Sequence, residues 1–147
     1  MYKKILVPLD GSKLAEAVLP HAQALAKSEG AEIILLRVPV LPDISFLARD
    51  PALASLIIKD MEDETKEYMQ EEVSKLQKEG SKVKGITREG LIPDTILEVA
   101  KETHADVIAM STHGYSGVKR CLIGSVADKV VHYSPIPVML IHPISPN

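Results

Sequence analysis

The sequence predicts an α/β fold, a parallel sheet with helices on both faces, and three observations carry that prediction. Short β-branched and aliphatic runs alternate with helical patterns from end to end, the order that produces right-handed β-α-β crossovers. Most of those runs are continuously apolar, the habit of strands buried on both faces. Finally, 147 residues with 46% hydrophobic and 25% charged side chains are enough chain for about one domain with its own core. Residues 1–147 read as a single domain.

The elements follow in order. Ile5-Leu6-Val7 is the first strand, and Ser12 then caps a helix over about 13–29. That helix places Leu14, Val18, Ala22, Leu25 and Ala26 on one face, and Pro20 is expected to kink it rather than end it. Ile33–Leu36 is the second strand. The segment from Pro39 to Pro51 is too long for a simple connector. A long charged helix over about 52–79 repeats Leu53, Ile57, Met61, Tyr68 and Leu76 at near-helical spacing, and Gly80 stops it. Lys82–Arg88 alternates polar and apolar residues and reads as a strand near an edge. Helices over about 93–103 and 126–133 flank the strand Val107–Met110, and Val138–Ile141 is the last strand. Ser125, with Asp128 three residues on, has the spacing of a capping box.

Composition excludes several classes of function. Seventeen Lys+Arg against twenty Asp+Glu give a net charge of −3, which offers no general pull toward nucleic acid. Aromatics are 3% with no tryptophan, so base-stacking platforms lack material. Cys121 is the one cysteine, which rules out a disulfide framework and a thiolate cluster holding a metal. No apolar run nears the roughly 18 residues of a membrane span. Asp10 follows the first apolar run too early for a secretory signal. The expectation is a cytoplasmic protein that binds neither nucleic acid nor membrane.

Ligands of open α/β sheets bind beyond the carboxyl ends of the strands, so chemistry is sought there. Asp10-Gly11-Ser12 follows the first strand. Asp10 could accept from a ribose hydroxyl or hold a divalent cation, and it reads equally as the turn residue of an Asp-Gly pair. After the fourth strand comes Ser111-Thr112-His113-Gly114-Tyr115-Ser116-Gly117, leading to Gly124-Ser125 and a helix. Glycines that bring backbone N–H groups close to a ligand, followed by a helix N-terminus, make a phosphate cradle. The same residues also describe an ordinary surface loop, and spacing alone leaves both readings open. Neither G-x-x-x-x-G-K-[ST] nor G-x-G-x-x-G is present, which disfavours P-loop NTPases and dinucleotide enzymes. His113 has no nucleophile or carboxylate at a recognisable spacing, so no catalytic residue is assigned.

These residues carry a resemblance. Ile5-Leu6-Val7-Pro8-Leu9-Asp10-Gly11-Ser12 resembles the opening of the universal stress protein family. Met110 to Gly114, nine residues, then Gly124-Ser125 is similar to its nucleotide-binding signature G-x2-G-x9-G-[ST], and Pro135 to Ile141 resembles its last strand. The resemblance implies a five-stranded parallel sheet of order 3-2-1-4-5, Rossmann-like, with ATP (or AMP or ADP) between the first and fourth strand loops. Carried over by position, Pro8, Leu9 and Asp10 flank the nucleoside, with Asp10 at the ribose and Mg2+ beside it. Val38 holds adenine through its backbone, and Met110 and Ser111 line the base and ribose. His113 packs near the phosphates, which Gly114, Gly117, Gly124, Ser125 and Val126 wrap. It also implies a homodimer through the C-terminal strand.

Two departures stand out. Ser111 occupies the position of the first signature glycine, and is expected to offer one extra hydroxyl contact. The loop after the third strand reads Gly90-Leu91-Ile92-Pro93, with the proline one place later than the family's G-x-P. The functional expectation is an ATP-binding stress-response or regulatory module with at most weak ATP hydrolysis. The alternatives are a slow ATPase or phosphotransferase and a nucleotide-free homodimeric interaction module.

Overall fold

The computed structural model describes residues 1–41, 43, 45, 49–113 and 123–143. The elements run β1 (Lys4–Leu9), α1 (Lys13–Glu16), α2 (Leu19–Glu29), β2 (Glu32–Arg37), α3 (Pro51–Lys78), β3 (Lys82–Thr87), α4 (Ile92–Glu102), β4 (Val107–Ser111), α5 (Ser125–Tyr133) and β5 (Val138–Ile141). The strands form one sheet of order β3-β2-β1-β4-β5, and every pairing is parallel. This is the order that the resemblance implies, and β3 lies at an edge, as its alternating sequence predicts.

The period of two explains why the central strands are apolar throughout. Ile5, Val7, Leu9, Ile33, Leu35, Val107 and Ala109 point to one face and pack with Val18, Leu19 and Ala22 of the α1–α2 segment and Met69 and Leu76 of α3. Leu6, Ile34, Leu36, Ile108 and Met110 point to the other and pack with Ile96 and Val99 of α4 and Ala127 and Val130 of α5. Each fully buried Ile, Leu or Val contributes about 1.5–3 kcal/mol at most. Among the described residues the buried side chains of both layers are non-aromatic, with Tyr2 and Tyr68 packed partly buried against the first.

Three local expectations are corrected. The helix expected over 13–29 is two helices, separated at Ala17 and Val18, with Pro20 in the first turn of α2. Proline has no N–H, and its ring collides with the carbonyl four residues back, here that of Glu16. A first-turn position removes both problems. In α3 the buried residues are Thr65, Met69, Glu72 and Leu76, whereas Leu53 is 42% exposed. Only the C-terminal half of α3 lies on the sheet, so the apolar stripe is buried only there. At α5 the cap is Gly124, with ψ of 164°, and Ser125 is the first helical residue without a side-chain cap bond. The capping box therefore does not form. Ser12 does cap α1, its hydroxyl accepting from the Ala15 N–H at 3.1 Å.

Candidate functional site

A cavity of about 380 Å3 opens beyond the carboxyl ends of β1, β2 and β4, within the range of about 300–1,000 Å3 usual for small-molecule sites. Its position follows from the topology. The chain runs outward from β1 to β2 and β3, then returns to place β4 on the other side of β1. The loops after β1 and β4 therefore leave in opposite directions and open a crevice.

The sequence-predicted residues Pro8, Leu9, Asp10, Val38, Met110, Ser111, His113, Gly124, Ser125 and Val126 all line this cavity. Gly114 and Gly117 lie outside the described residues. So do Cys121 and the basic pair Lys119 and Arg120.

Each wall has a local cause. Asp10 Oδ1 accepts from the Ser12 N–H at 2.8 Å, which makes the turn after β1 and leaves the carboxylate at the cavity wall. Gly11 has φ of +88°, and a Cβ there would meet Arg37 Nη1. The positive φ favours glycine, whereas the Arg37 guanidinium, at the end of a flexible side chain, can move aside. Ser111, 6% exposed, donates its hydroxyl proton to the Ala15 carbonyl at 3.0 Å. Its side chain ties the end of β4 to α1, so the expected extra contact cannot be a donated proton.

Gly124 joins the two sides of the crevice. Its N–H donates to the Thr112 carbonyl at 2.6 Å, and a Cβ on it would lie 2.8 Å from that same oxygen. The α5 N-terminus, with its unpaired N–H groups and positive dipole end, thus borders the cavity and favours an anion.

Sequence reading missed part of the lining. Met61, Glu64 and Thr65 come from one face of α3, and Ile92 and Ile96 from α4. The α3 group has a sequence signal, the i, i+3, i+4 spacing, but nothing in that signal points to this sheet edge. Glu64 adds a second carboxylate to the lining, from α3, besides that of Asp10. Among the described residues no group of three or more His, Cys, Asp or Glu could hold a metal. Arg37, at the end of β2, brings a cation to the wall and lies 5.1 Å from the Tyr68 ring centroid. The Tyr68 hydroxyl donates to Glu16 Oε2 at 2.9 Å. Burial first, then Glu16, pushes the Tyr68 phenol well above the ordinary tyrosine value. Burial, then Glu16, also raises the Glu72 carboxyl, whose Oε2 is buried without a hydrogen-bond partner among the described residues.

Fold and cavity together define a parallel α/β domain of the doubly wound class, with a crevice at the switch point and the N-terminus of α5 at one wall. The model of the universal stress protein family matches residues 1–142, and the chain belongs to that family. The universal stress protein MJ0577 of Methanocaldococcus jannaschii is 33% identical over 154 residues, covering 96% of this chain and 95% of the relative. The solved structure of MJ0577 superposes with a TM-score of 0.85 at 32% identity, covering 99% of both chains. A universal stress protein of Methanothermobacter thermautotrophicus is 33% identical over 98% of each chain. The structure of the universal stress protein from Archaeoglobus fulgidus in complex with dAMP matches with a TM-score of 0.65 at 25% identity, covering 95% of this chain and 98% of that one. Among the described residues no helix is long and apolar enough to cross a membrane.

Proposed function

We propose that this chain binds an adenine nucleotide, ATP in particular, in the cavity beyond β1 and β4, and acts as a nucleotide-dependent stress-response or regulatory module. The observation that carries the reading is the lining: Asp10, the Val38 segment and the α5 N-terminus meet around one cavity at the switch point. The relative bound to dAMP supports an adenine nucleotide as the ligand class.

In this reading Pro8 and Leu9 flank the nucleoside, Asp10 accepts from the ribose, and the Val38 backbone holds adenine. Met110 and Ser111 border base and ribose. Gly124, Ser125 and Val126, with Gly114 and Gly117, take the phosphates, and AMP and ADP are accommodated by the same walls. Mg2+ usually keeps water and phosphate ligands and needs one or two protein carboxylates, a role Asp10 fits. Micromolar affinity requires about 8 kcal/mol. Roughly three to five charge-assisted hydrogen bonds supply that on paper, and ordering costs reduce it toward weak-to-moderate binding.

The reading includes a cytoplasmic homodimer through β5. That strand is an outer strand of the sheet and consists of four half-buried aliphatic residues. An open edge of that kind calls for a cover, and a second copy supplies one.

Adenine nucleotide content of the purified protein, read by absorbance and chromatography after denaturation, tests the proposal. Nucleotide at a sizeable fraction of one per chain is expected. Protein that carries none, and takes up none from millimolar ATP, refutes it.

A further inference from the structure

The buried stripe of α3 runs from Leu76 through Glu72 and Met69 to Thr65, and its last member reaches past the sheet. Thr65 is 5% exposed and lines the cavity. Among the described residues its hydroxyl makes no hydrogen bond, yet it is not sealed from solvent as Glu72 Oε2 is. The space that reaches it is the cavity. Topology sets which end of the cavity this is. Strands β2 and β3 are parallel, so α3 between them runs back against β2. The Arg37 guanidinium, 5.1 Å from the Tyr68 ring centroid, fixes their relative level. Residues after Arg37 and residues before Tyr68 therefore leave the sheet edge in the same direction. Val38 from the first group, with Glu64 and Thr65 from the second, lines one cavity. That is the base end in the nucleotide reading, whereas Gly124 and the α5 N-terminus border the phosphate end.

Solvent satisfies an open hydroxyl, and a ligand that fills the cavity displaces that solvent. The ligand must then offer a polar atom, or the hydroxyl is left desolvated and unbonded. The neighbouring residue sets the kind of atom. Glu64 makes no ion pair among the described residues, and its carboxylate only accepts hydrogen bonds, while a hydroxyl can accept as well as donate. This turn of α3 therefore favours a donor. Adenine carries one donor group on its polar edge, the exocyclic 6-amino group, where a 6-oxopurine has an acceptor. Arg37, the donor in the same wall, has its guanidinium over Tyr68 and against Gly11, beside Asp10 on the ribose side.

Resting on the nucleotide reading above, we infer that α3 reads the base: the Thr65 hydroxyl accepts from the exocyclic 6-amino group of the bound nucleotide, and Glu64 turns away a 6-oxo group at the same place. The site selects 6-aminopurine over 6-oxopurine nucleotides. That selectivity resides in two side chains of α3, apart from the backbone groups that take the phosphates.

The test is equilibrium dialysis of the full chain against three triphosphates: ATP, purine riboside triphosphate (hydrogen in place of the amino group) and ITP (oxygen in its place). In the wild-type chain ATP is expected to bind tightest, with both analogues at least about tenfold weaker. In Thr65→Val the lead of ATP over purine riboside triphosphate falls at least about threefold, and Thr65→Ser keeps it. In Glu64→Gln, whose amide can donate to a 6-oxo oxygen, ITP gains on ATP. Equal binding of the three ligands to the wild-type chain overturns the inference alone, whatever the stability of the variants. An unchanged preference in Thr65→Val or in Glu64→Gln also overturns it. Absence of ATP binding to the wild-type chain overturns the nucleotide reading, and this inference with it.

Discussion

A methyl group at Gly124 would sit 2.8 Å from the Thr112 carbonyl oxygen, and a backbone atom cannot swing aside as a side chain would. Gly124→Ala should cost about 1–3 kcal/mol, read from urea unfolding at unchanged m-value. This residue holds the crevice together as well as bordering it, so a bulky replacement there reports on folding and binding at once. Ser125→Glu separates the two. Ser125 makes no cap bond, and a carboxylate at this position repels phosphate while suiting the first turn of a helix. Expected are a melting temperature within about 2 °C of wild type, since surface changes of this kind stay near ±0.5 kcal/mol, and loss of ATP binding by calorimetry. Asp10, Gly124 and Ser125 were legible in the sequence because a residue directly after a strand or before a helix needs no tertiary information to be placed. Arg37, Glu64 and Thr65 were not, since their role depends on how β2 and α3 meet the crevice.

At the scale of elements, the sheet was legible because buried parallel strands are apolar without interruption, as Ile33–Leu36 is. Helix ends were harder. Pro20 is compatible by pattern with a kink or a restart, and the clash with the Glu16 carbonyl decides for the restart. The centre of β2 and the N-terminal half of α3 make a direct contrast. Ile34 is fully buried and Leu56 is 60% exposed. Ile34→Ala should cost about 2–5 kcal/mol, whereas Leu56→Ser should stay within about 0.5 kcal/mol, both by denaturant titration. Glu72, on the sheet-facing half of α3, gives a pH-dependent prediction. Its carboxyl is raised in the folded state by burial and by Glu16, so the unfolded chain ionises more readily. Ionisation therefore costs stability as pH rises from the ordinary carboxylate value of about 4.3 through the raised folded value. Glu72→Gln should be more stable than wild type at pH 7, with the difference vanishing below about pH 4. A constant difference across that range would contradict it.

For the whole molecule, low aromatic content and a net charge of −3 look unpromising for a site that takes a polyanion. Two aliphatic layers need no rings, and a helix N-terminus with neighbouring N–H groups attracts phosphate locally whatever the net charge. The outer strand β5 carries the assembly prediction. Exposed Val131 and Tyr133, 45% and 69% accessible, lie on α5, the helix that leads into it. Light scattering should give the mass of two chains, and Met139→Lys, a charge placed on the edge strand, should shift the population toward one. The claim on which the rest depends is that the cavity holds an adenine nucleotide. Equilibrium dialysis of ATP against the wild-type chain and Ser125→Glu tests it most directly. About one ATP per chain is expected, saturable and competed by AMP and ADP, and none on the folded variant. Equal binding to both proteins, or no binding to the wild-type chain, would contradict it.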